Sequence, residues 1–396
     1  MKPVVIIGSG LAGYTLAKTL RGLDKDIPIT IVTADDGAVY SKPMLSNALA
    51  SNKSAMALVT ADADKMATDL NLNIQHHTRV MRIDAGARKL ELDSGESLAY
   101  GKLVLATGAN PIRLPIEGNA AAEILSVNNR DDYAHFRDMI ADKKHIAILG
   151  PGLIGCEFAN DLVSAGYQVS VIGPDQAPLG RLVPVQIGEA LKTALSSKGV
   201  NWYLQTTVAS VDRPDGSPAN DLSLSLSNGE TIQADVVLSA IGLRAATGLA
   251  QTAGIQTSRG IVVDRYMQTS VEDIYAVGDC AEVDGQCLPF VLPLMQGARA
   301  LAKTLSGSPT AVSYPAMPVI VKTPACPVVV VPPPPSLSAE GQWQIESPDK
   351  EAAETDGSEN VRACFYDQQG QLHGFALSGS SVSEKAALLK QLPASA

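Results

Sequence analysis

The feature that most constrains the fold of this 396-residue chain is a segment that occurs twice. Each copy consists of an apolar strand, a glycine-rich turn, a helical stretch and a second apolar strand, and the two copies cover residues 3–33 and 145–172. Uninterrupted apolar strands of this kind are buried on both faces, as in a parallel sheet. The repeat therefore predicts an α/β chain built around two parallel sheets.

The turn in each copy has the pattern GxGxxG, present as Gly8-Ser9-Gly10-Leu11-Ala12-Gly13 and as Gly150-Pro151-Gly152-Leu153-Ile154-Gly155. The first glycine permits a tight bend, the second lets the backbone approach a pyrophosphate, and the third lets helix and strand pack closely. The N-terminus of the following helix faces the phosphates with free N–H groups. Two copies in this strand–turn–helix context predict two Rossmann-like dinucleotide-binding folds. The usual pair of ligands is FAD and a nicotinamide dinucleotide.

Three further strands run into small-residue turns. One is Leu103-Val104-Leu105-Ala106-Thr107-Gly108, a second is Val236-Val237-Leu238-Ser239-Ala240-Ile241-Gly242, and the third ends at Gly278-Asp279. An acid at the carboxyl end of a strand, such as Asp279, can hydrogen-bond a ribityl hydroxyl of FAD. These turns support the prediction of two nucleotide sites.

Residues 1–310 resemble the flavoprotein reductases with two dinucleotide-binding folds, in which the first GxGxxG binds FAD and the second binds NAD(P)H. Tyr40-Ser41-Lys42-Pro43-Met44-Leu45-Ser46 is similar to a stretch that lies along the FAD in ferredoxin-type and rubredoxin-type members. Tyr314-Pro315-Ala316-Met317-Pro318-Val319-Ile320-Val321-Lys322-Thr323-Pro324 most resembles the rubredoxin reductases of bacterial alkane-oxidising systems. The resemblance implies electron transfer from NADH through FAD to a one-electron carrier.

For FAD, the motifs and the resemblance together imply a set of binding residues. Thr33 stands at the end of the second strand, and the expected ribose-binding acid is displaced to Asp35 or Asp36. Asn47 stands where ferredoxin-type relatives often have a lysine, and Lys322 could supply that charge instead. The helix that begins near Leu294 is expected to stabilise negative charge on the flavin. The predicted FAD-binding residues are Gly8, Gly10, Ala12, Gly13, Asp35, Lys42, Pro43, Val80, Ala106, Thr107, Gly108, Asp279, Leu294 and Lys322.

For the nicotinamide coenzyme, the strand-end position that usually carries an acid is Gly173, and Asp175 follows two residues later. Residues 173–180 contain no arginine for a 2′-phosphate, so we expect NADH. Glu157 resembles the family's glutamate near the nicotinamide; alternatively, it is a first-turn acid favoured by the helix dipole. The predicted NAD-binding residues are Gly150, Gly152, Leu153, Ile154, Gly155, Glu157, Asp175 and Gly242. No side-chain catalyst is expected beyond support from Glu157 and Lys322, because the flavin carries the chemistry.

Five cysteines stand at positions 156, 280, 287, 326 and 364, with none in residues 35–60, where disulfide-reducing members of this family keep theirs. Thiol–disulfide exchange needs an attacking thiolate and a resolving partner. We therefore expect no thiol relay, although Cys156 follows a glycine turn that could acidify it. The scattered cysteines, and the adjacent His76 and His77 on a predicted strand, indicate no metal site.

The net charge of −10 disfavours nucleic acid as a partner, because phosphate binding draws on clustered Lys and Arg. No run approaches the ~20 apolar residues of a membrane span, and a cytoplasmic location is the default expectation. Rubredoxins are acidic, so docking needs a local basic patch, for which Lys42, Lys322 and Arg299 are candidates. Oligomeric state is left open.

We predict a FAD-binding domain in residues 1–108 and 243–312, an NAD(P)H-binding domain in 109–242, and a small C-terminal α+β domain in 313–396. Within the last domain the pattern predicts a valine strand and polyproline spacer over 324–335, a loop or hairpin edge over 336–360, strands over 361–366 and 371–377, and a helix over 382–392. The leading functional hypothesis is a rubredoxin reductase for alkane hydroxylation. The alternatives are an NADH–ferredoxin reductase of an oxygenase system and a non-enzymatic flavoprotein that senses NADH.

Overall fold

The repeated segments form two parallel sheets in a computed structural model, which describes residues 2–214, 221–334, 336–337, 340–346 and 360–393. The chain divides into two compact units. Unit 1 comprises Met1–Lys42, Met56–Asn110 and Leu243–Pro315, and unit 2 comprises Pro43–Ala55, Pro111–Gly242 and Ala316–Ala396. Each unit contains one copy of the repeat.

Unit 1 is built on a five-stranded parallel sheet in the order β20-β9-β1-β2-β5. Its strands are β1 (Val4–Ile7), β2 (Ile29–Val32), β5 (Asn73–Gln75), β9 (Lys102–Leu105) and β20 (Ile274–Ala276). Every residue of β1 and β2 is buried, which explains their uninterrupted apolar sequence. The helices of the unit are α1 (Leu11–Leu23), α2 (Ala63–Leu70), α6 (Gly248–Thr252) and α7 (Val291–Leu305).

Smaller sheets complete unit 1. An antiparallel sheet joins β6 (Val80–Asp84), β7 (Lys89–Leu92) and β8 (Ser97–Ala99), and two pairs join β3 (Val39–Tyr40) with β4 (Val59–Ala61) and β19 (Ile261–Val263) with β21 (Ala281–Val283). The remaining short elements of unit 1 are β10 (Ala109–Pro111), β18 (Leu243–Ala245) and the 3₁₀ helix Met56–Leu58, whereas the 3₁₀ helix Lys42–Asn47 belongs to unit 2 from Pro43 onward. His76 and His77 follow β5 in a turn, where His77 has φ 49°, so the prediction that they lie on a strand is wrong.

Unit 2 contains a four-stranded parallel sheet in the order β13-β12-β11-β17. Its strands are β11 (His145–Leu149), β12 (Gln168–Gly173), β13 (Val200–Leu204) and β17 (Val236–Ser239), with helices α3 (Arg130–Ile140), α4 (Leu153–Ser164) and α5 (Val185–Ser197). A three-stranded antiparallel sheet adds β14 (Val208–Asp212), β15 (Leu222–Leu226) and β16 (Thr231–Ala234), preceded in sequence by the 3₁₀ helix Ala121–Glu123. The helix predicted over 156–165 begins at Leu153, because Gly152 is its N-cap and Gly155 lies inside its first turn.

The C-terminal part of unit 2 is a five-stranded antiparallel sheet in the order β22-β23-β26-β25-β24. Its strands are β22 (Val319–Val321), β23 (Val328–Val331), β24 (Gln342–Glu346), β25 (Arg362–Tyr366) and β26 (Leu372–Ser378). β24 is an edge strand within the predicted loop or hairpin edge, of which residues 338–339 and 347–359 lie outside the described residues, as does Pro335 of the predicted spacer.

The predicted C-terminal helix is shorter than expected. The 3₁₀ helix Gly379–Glu384 precedes α8 (Lys385–Leu389). The hydroxyl of Ser383 donates to the carbonyl of Ser380 at 2.8 Å, and such local side-chain bonds compete with regular α-helix. In the described part of the chain, no helix is both long and apolar enough to cross a bilayer.

Candidate functional site

The first glycine turn sits where β1 and β9 end. Gly8 has φ 112°, and a Cβ there would lie 2.3 Å from the carbonyl oxygen of Ala106. A Cβ on Gly13 would lie 2.0 Å from the carbonyl oxygen of Gly8, so the third glycine is required for α1 to pack against the turn. A Cβ on Gly10 would meet nothing within 4 Å. Gly10 therefore leaves open the space through which a pyrophosphate would approach.

Asp35, the displaced acid, is anchored to this turn by a hydrogen-bond network. Its Oδ1 accepts from Ser9 Oγ at 2.9 Å, from Thr33 Oγ1 at 2.6 Å and from the N–H of Gly37 at 3.0 Å. The hydroxyls of Ser9 and Thr33 are themselves 2.9 Å apart. All three bonds engage Oδ1, so Oδ2 keeps its capacity to accept from a ribose hydroxyl.

The Gly278-Asp279 turn packs on the start of α1. Gly278 has φ 85°, and a Cβ there would lie 2.8 Å from the Cβ of Ala12 and 3.6 Å from Cδ1 of Leu294. Burial raises the pKa of the Asp279 carboxyl above its usual value of 3.8, while the charge of Lys42 opposes that rise. Among the described residues, none hydrogen-bonds the Asp279 carboxylate. A half-buried acceptor of this kind suits a ribityl hydroxyl.

The second glycine turn repeats the geometry of the first within unit 2. Gly150 has φ 103°, and a Cβ on Gly155 would lie 1.9 Å from the carbonyl oxygen of Gly150. A Cβ on Gly152 would again meet nothing within 4 Å. Leu153 and Ile154 begin α4, and Ile154 is exposed. Gly242, with φ 117°, lies three residues after the end of β17.

The helices after the two turns lack side-chain caps. Gly10 and Gly152 are the N-caps of α1 and α4, and neither end has a side-chain cap bond. Asp62 caps α2 and Asn129 caps α3 in a capping box, whereas α5, α6 and α7 also lack a side-chain cap bond. What distinguishes α1 and α4 is that their uncapped N–H groups follow glycine turns with open space at Gly10 and Gly152, where phosphate oxygens could approach.

Unit 2 also contains a buried carboxylate with several donors. Glu157 of α4 is fully buried, and its Oε1 accepts from the N–H of Lys322 at 2.9 Å. Its Oε2 accepts from Ser46 Oγ and from Lys322 Nζ, each at 2.5 Å. Lys322 Nζ also donates to the carbonyl of Pro43 at 2.7 Å. These bonds join α4 to segments 43–55 and 316–326.

Asn47 takes part in the same group of side chains. Its Nδ2 lies 3.2 Å from Ser46 Oγ and 3.5 Å from Glu157 Oε2. Lys322 and Asn47 thus meet at one carboxylate, and Lys322 supplies a cation beside a position where ferredoxin-type relatives often have a lysine. The alternative that Glu157 is a first-turn acid favoured by the helix dipole is wrong, because α4 begins at Leu153 and has no acid in its first turn.

Two further α4 residues hold these segments, and the sequence analysis did not identify them. Asp161 accepts from the N–H groups of Leu49 at 2.8 Å and Ala50 at 2.9 Å. Asn160 Oδ1 accepts from the N–H of Ala325 at 3.1 Å. Burial raises the pKa of the Asp161 carboxyl, against the lowering effect of its backbone hydrogen bonds. The spacing of Glu157 and Asp161 on successive turns was the available signal.

The cysteines are poor candidates for redox chemistry. Cys156 and Cys280 are fully buried, and burial raises the pKa of both thiols. Cys156 therefore lacks the acidified thiolate that its place at the start of α4 could have given. All five cysteines are free thiols, and only Cys287 is partly exposed.

The predicted FAD residues divide between the two units. In unit 1, Ala12 and Leu294 lie against Gly278, and Gly8, Gly13 and Ala106 meet at the first glycine turn. Asp35 reaches the same turn, Thr107 donates to the carbonyl of Ala246 at 2.9 Å, and Gly108 follows with φ 68°. Val80 begins β6, and no contact places it at the turn. Pro43 and Lys322 belong to unit 2, where Lys322 donates to the carbonyl of Pro43 and pairs with Glu157.

Comparison with known proteins agrees with this geometry. Residues 2–303 match the family described as pyridine nucleotide-disulphide oxidoreductase, and residues 311–392 match a rubredoxin binding C-terminal domain. The chain is 46% identical to a rubredoxin-NAD(+) reductase of Alcanivorax borkumensis, over 100% of this chain and 99% of the relative. It is 36% identical to a nitric oxide reductase FlRd-NAD(+) reductase of Aeromonas hydrophila, over 99% and 97%. The ferredoxin reductase of the CYP199A2 system from Rhodopseudomonas palustris has a TM-score of 0.86 at 25% identity, covering 100% of this chain and 96% of that structure.

Proposed function

The chain belongs to the pyridine nucleotide-disulphide oxidoreductase family and ends in a rubredoxin-binding domain, and from this we infer that it is a FAD-dependent reductase that moves electrons from NADH to rubredoxin. The observation that carries the choice of carrier is the match of residues 311–392 to that domain. The family matches and the similar proteins confirm the predictions of an α/β fold, of FAD and NADH as cofactors and of rubredoxin as partner.

Bound FAD supplies the chemistry, because it accepts two electrons from NADH together and releases them one at a time. The side chains of unit 1 bind and orient it. Gly10 and the uncapped N-terminus of α1 would hold the pyrophosphate, Asp35 Oδ2 would accept from the adenosine ribose, and Asp279 would accept from the ribityl chain. The sequence has no cysteine in residues 35–60, so electrons leave without a thiol relay.

In unit 2, Gly152 and the uncapped N-terminus of α4 would hold the pyrophosphate of NADH. Glu157 follows within the first two turns of α4, and its charge is balanced by Lys322. We assign the FAD-binding domain to 1–108 and 243–312, the NADH-binding domain to 109–242 and the carrier-binding domain to 313–396. The parallel sheets of the two units and the antiparallel C-terminal sheet support this division, although segment 43–55 groups with unit 2.

Rubredoxin docking needs basic side chains that are not already neutralised. Lys322 is paired with Glu157, and the charge of Lys42 acts on Asp279. Arg299 and Lys303 are exposed one turn apart on α7 and line a surface groove of about 380 Å³. Among the candidate basic residues, we therefore assign the docking contact with the acidic carrier to Arg299.

We further propose that the reduced rubredoxin serves alkane hydroxylation and that the reaction occurs in the cytoplasm. The first proposal rests on the likeness of Tyr314–Pro324 to reductases of alkane-oxidising systems. The second rests on five free cysteines, which suit a reducing compartment.

The direct test is anaerobic reduction of the FAD-loaded protein with NADH, followed by mixing with oxidised rubredoxin or with a [2Fe–2S] ferredoxin. We expect rapid bleaching of the flavin absorbance and then of the rubredoxin absorbance, with slower transfer to ferredoxin. Faster transfer to ferredoxin would favour the oxygenase-type alternative. Flavin reduction without turnover on either carrier would favour the NADH-sensing alternative.

A further inference from the structure

The two glycine turns are followed by the same backbone arrangement in both units. The N–H of Gly8 donates to Val32 O at 2.9 Å, and the N–H of Gly150 donates to Ile172 O at 2.8 Å. This pairing makes Thr33 equivalent to Gly173, and Ser9 equivalent to Pro151.

The equivalence continues beyond the strand ends. Thr78 donates its N–H to Thr33 O, as Thr206 does to Gly173 O, at 2.9 and 3.2 Å. The next pair of backbone bonds joins His77 N–H to the carbonyl of Asp35 and Gln205 N–H to the carbonyl of Asp175. His77 and Gln205 share a left-handed conformation, with φ 49° and 57°. Asp35 and Asp175 therefore occupy the same backbone position, two residues after the equivalent residues Thr33 and Gly173.

The side chains around this position differ in a way that excludes an acid at the strand end of unit 2. A Cβ on Gly173 would lie 2.1 Å from Cδ and 2.6 Å from Cγ of Pro151. Both residues are buried. The proline ring thus fills the volume into which a strand-end carboxylate would project, and residue 173 cannot carry the acid that usually binds the adenosine ribose.

The difference between the two turns also leaves the carboxylate of Asp175 without local hydrogen-bond donors. Its counterpart Asp35 is bonded by the Ser9 and Thr33 hydroxyls, but Pro151 and Gly173 have no side-chain donor to offer. Within the described residues, no hydrogen bond reaches the Asp175 carboxylate. It is half-buried and keeps both oxygens available.

We propose that Asp175, and not the strand-end position, determines selectivity for the unphosphorylated coenzyme, because Pro151 occupies the strand-end space. Two hydroxyls of the adenosine ribose would donate to its carboxylate, whereas a 2′-phosphate would be repelled by its charge. The inference rests on the proposed use of NADH. It identifies Asp175 as the residue that selects the coenzyme. It also gives the packing of Pro151 against Gly173 as the reason that this acid does not lie at the strand end.

The test uses the full-length, FAD-loaded protein and measures the binding of NAD⁺ and NADP⁺ by anaerobic calorimetry, together with stopped-flow flavin reduction. In Asp175→Asn we expect the Kd for NAD⁺ to rise about tenfold, as for the loss of a hydrogen bond to a charged group, with the Kd for NADP⁺ unchanged or lower. In stopped flow, the NADH concentration that gives half-maximal flavin reduction should rise in the same proportion as the Kd. Asp142→Asn, an exposed acid of unit 2, is the matched control and keeps wild-type affinities.

An NAD⁺ affinity within twofold of the wild type in Asp175→Asn would overturn the proposal, as would equal weakening of NAD⁺ and NADP⁺. A separate experiment tests the packing of Pro151 against Gly173. Gly173→Ala should lower the thermal stability of the protein, and Pro151→Ala/Gly173→Ala should restore it because the clashing ring atoms are removed. A stable Gly173→Ala would refute the exclusion. None of these measurements involves rubredoxin, so failure of carrier reduction is distinguished from failure of this inference.

Discussion

Lys322 Nζ lies 2.5 Å from Oε2 of Glu157, a carboxylate that is fully buried, while the lysine side chain is 31% exposed. The two residues are 165 positions apart in sequence, and the lysine backbone N–H binds the second carboxylate oxygen. A buried carboxylate is stable only while it is paired and hydrogen-bonded. This pair therefore couples the conformation of segment 316–326 to that of α4.

Removal of the lysine should destabilise unit 2. In Lys322→Met we expect the free energy of unfolding to fall by about 3 kcal/mol, the low end for a broken buried pair, because Lys322 is partly exposed. Glu157→Gln/Lys322→Met should recover most of that loss. Both tryptophans, Trp202 and Trp343, belong to unit 2, so urea unfolding followed by tryptophan fluorescence reports on this unit.

The matched control is Lys192→Met, which breaks a partly exposed ion pair with Glu189 on α5, also in unit 2, and should cost less than about 1 kcal/mol. A Lys322→Met protein as stable as the control variant would show that the Glu157 carboxylate does not depend on the lysine.

Charge reversal at Arg299 should weaken carrier docking without affecting NADH. Lys322, another candidate for the basic patch, does not suit this test, because charge reversal there would place two acids together at a buried site. In Arg299→Glu we expect rubredoxin reduction at low salt to slow about tenfold, with the difference shrinking as ionic strength rises. Stopped-flow flavin reduction by NADH should be unchanged. Lys89→Glu, a charge reversal at the exposed first residue of β7, should be silent, and an equal effect of both variants would indicate long-range charge rather than a docking contact.

The thiols should be dispensable. Cys156→Ala and Cys280→Ser are expected to reduce rubredoxin at wild-type rates, because burial raises the pKa of both thiols and keeps them protonated. In the native protein, Ellman's reagent should react with Cys287 first, since the other four are buried. Loss of carrier reduction with normal flavin reduction in either variant would point to a thiol relay.

The sequence predicted the parts of the site whose signals are local. A GxGxxG turn, the strand before it and the helix after it are all determined within about thirty residues, and the close approaches at Gly13 and Gly155 agree with the reason given for them. Contacts between distant segments left no such signal. The pairing of Glu157 with Lys322 and the anchoring of residues 49 and 50 by Asp161 depend on how α4 meets two other segments of unit 2. The sequence also did not predict that the Pro151 ring occupies the space beside Gly173, because proline and glycine are both common in ordinary turns.

Asp161 should give the protein a measurable pH dependence of stability. Burial raises its pKa above the usual value of 3.8, so the native state binds more protons than the unfolded state between that value and the raised pKa. The contribution of Asp161 to stability is therefore greatest below pH 4 and is lost as the pH rises through the folded-state pKa. The difference in free energy of unfolding between the wild type and Asp161→Asn should fall over this range in urea titrations. A difference that grows with pH would contradict the direction of the shift.

The third glycines of the two turns should separate the two nucleotide sites. In Gly13→Ala, a Cβ 2.0 Å from the Gly8 carbonyl must displace α1, and we expect the purified protein to lose its flavin absorbance. In Gly155→Ala, the Cβ lies 1.9 Å from the Gly150 carbonyl, so FAD should remain bound while reduction by NADH is lost. Gly22→Ala on the same helix α1 meets nothing within 4 Å and should raise stability by about 0.5–1 kcal/mol. Loss of FAD in Gly155→Ala, or normal reduction by NADH in that variant, would contradict the assignment of one nucleotide to each turn.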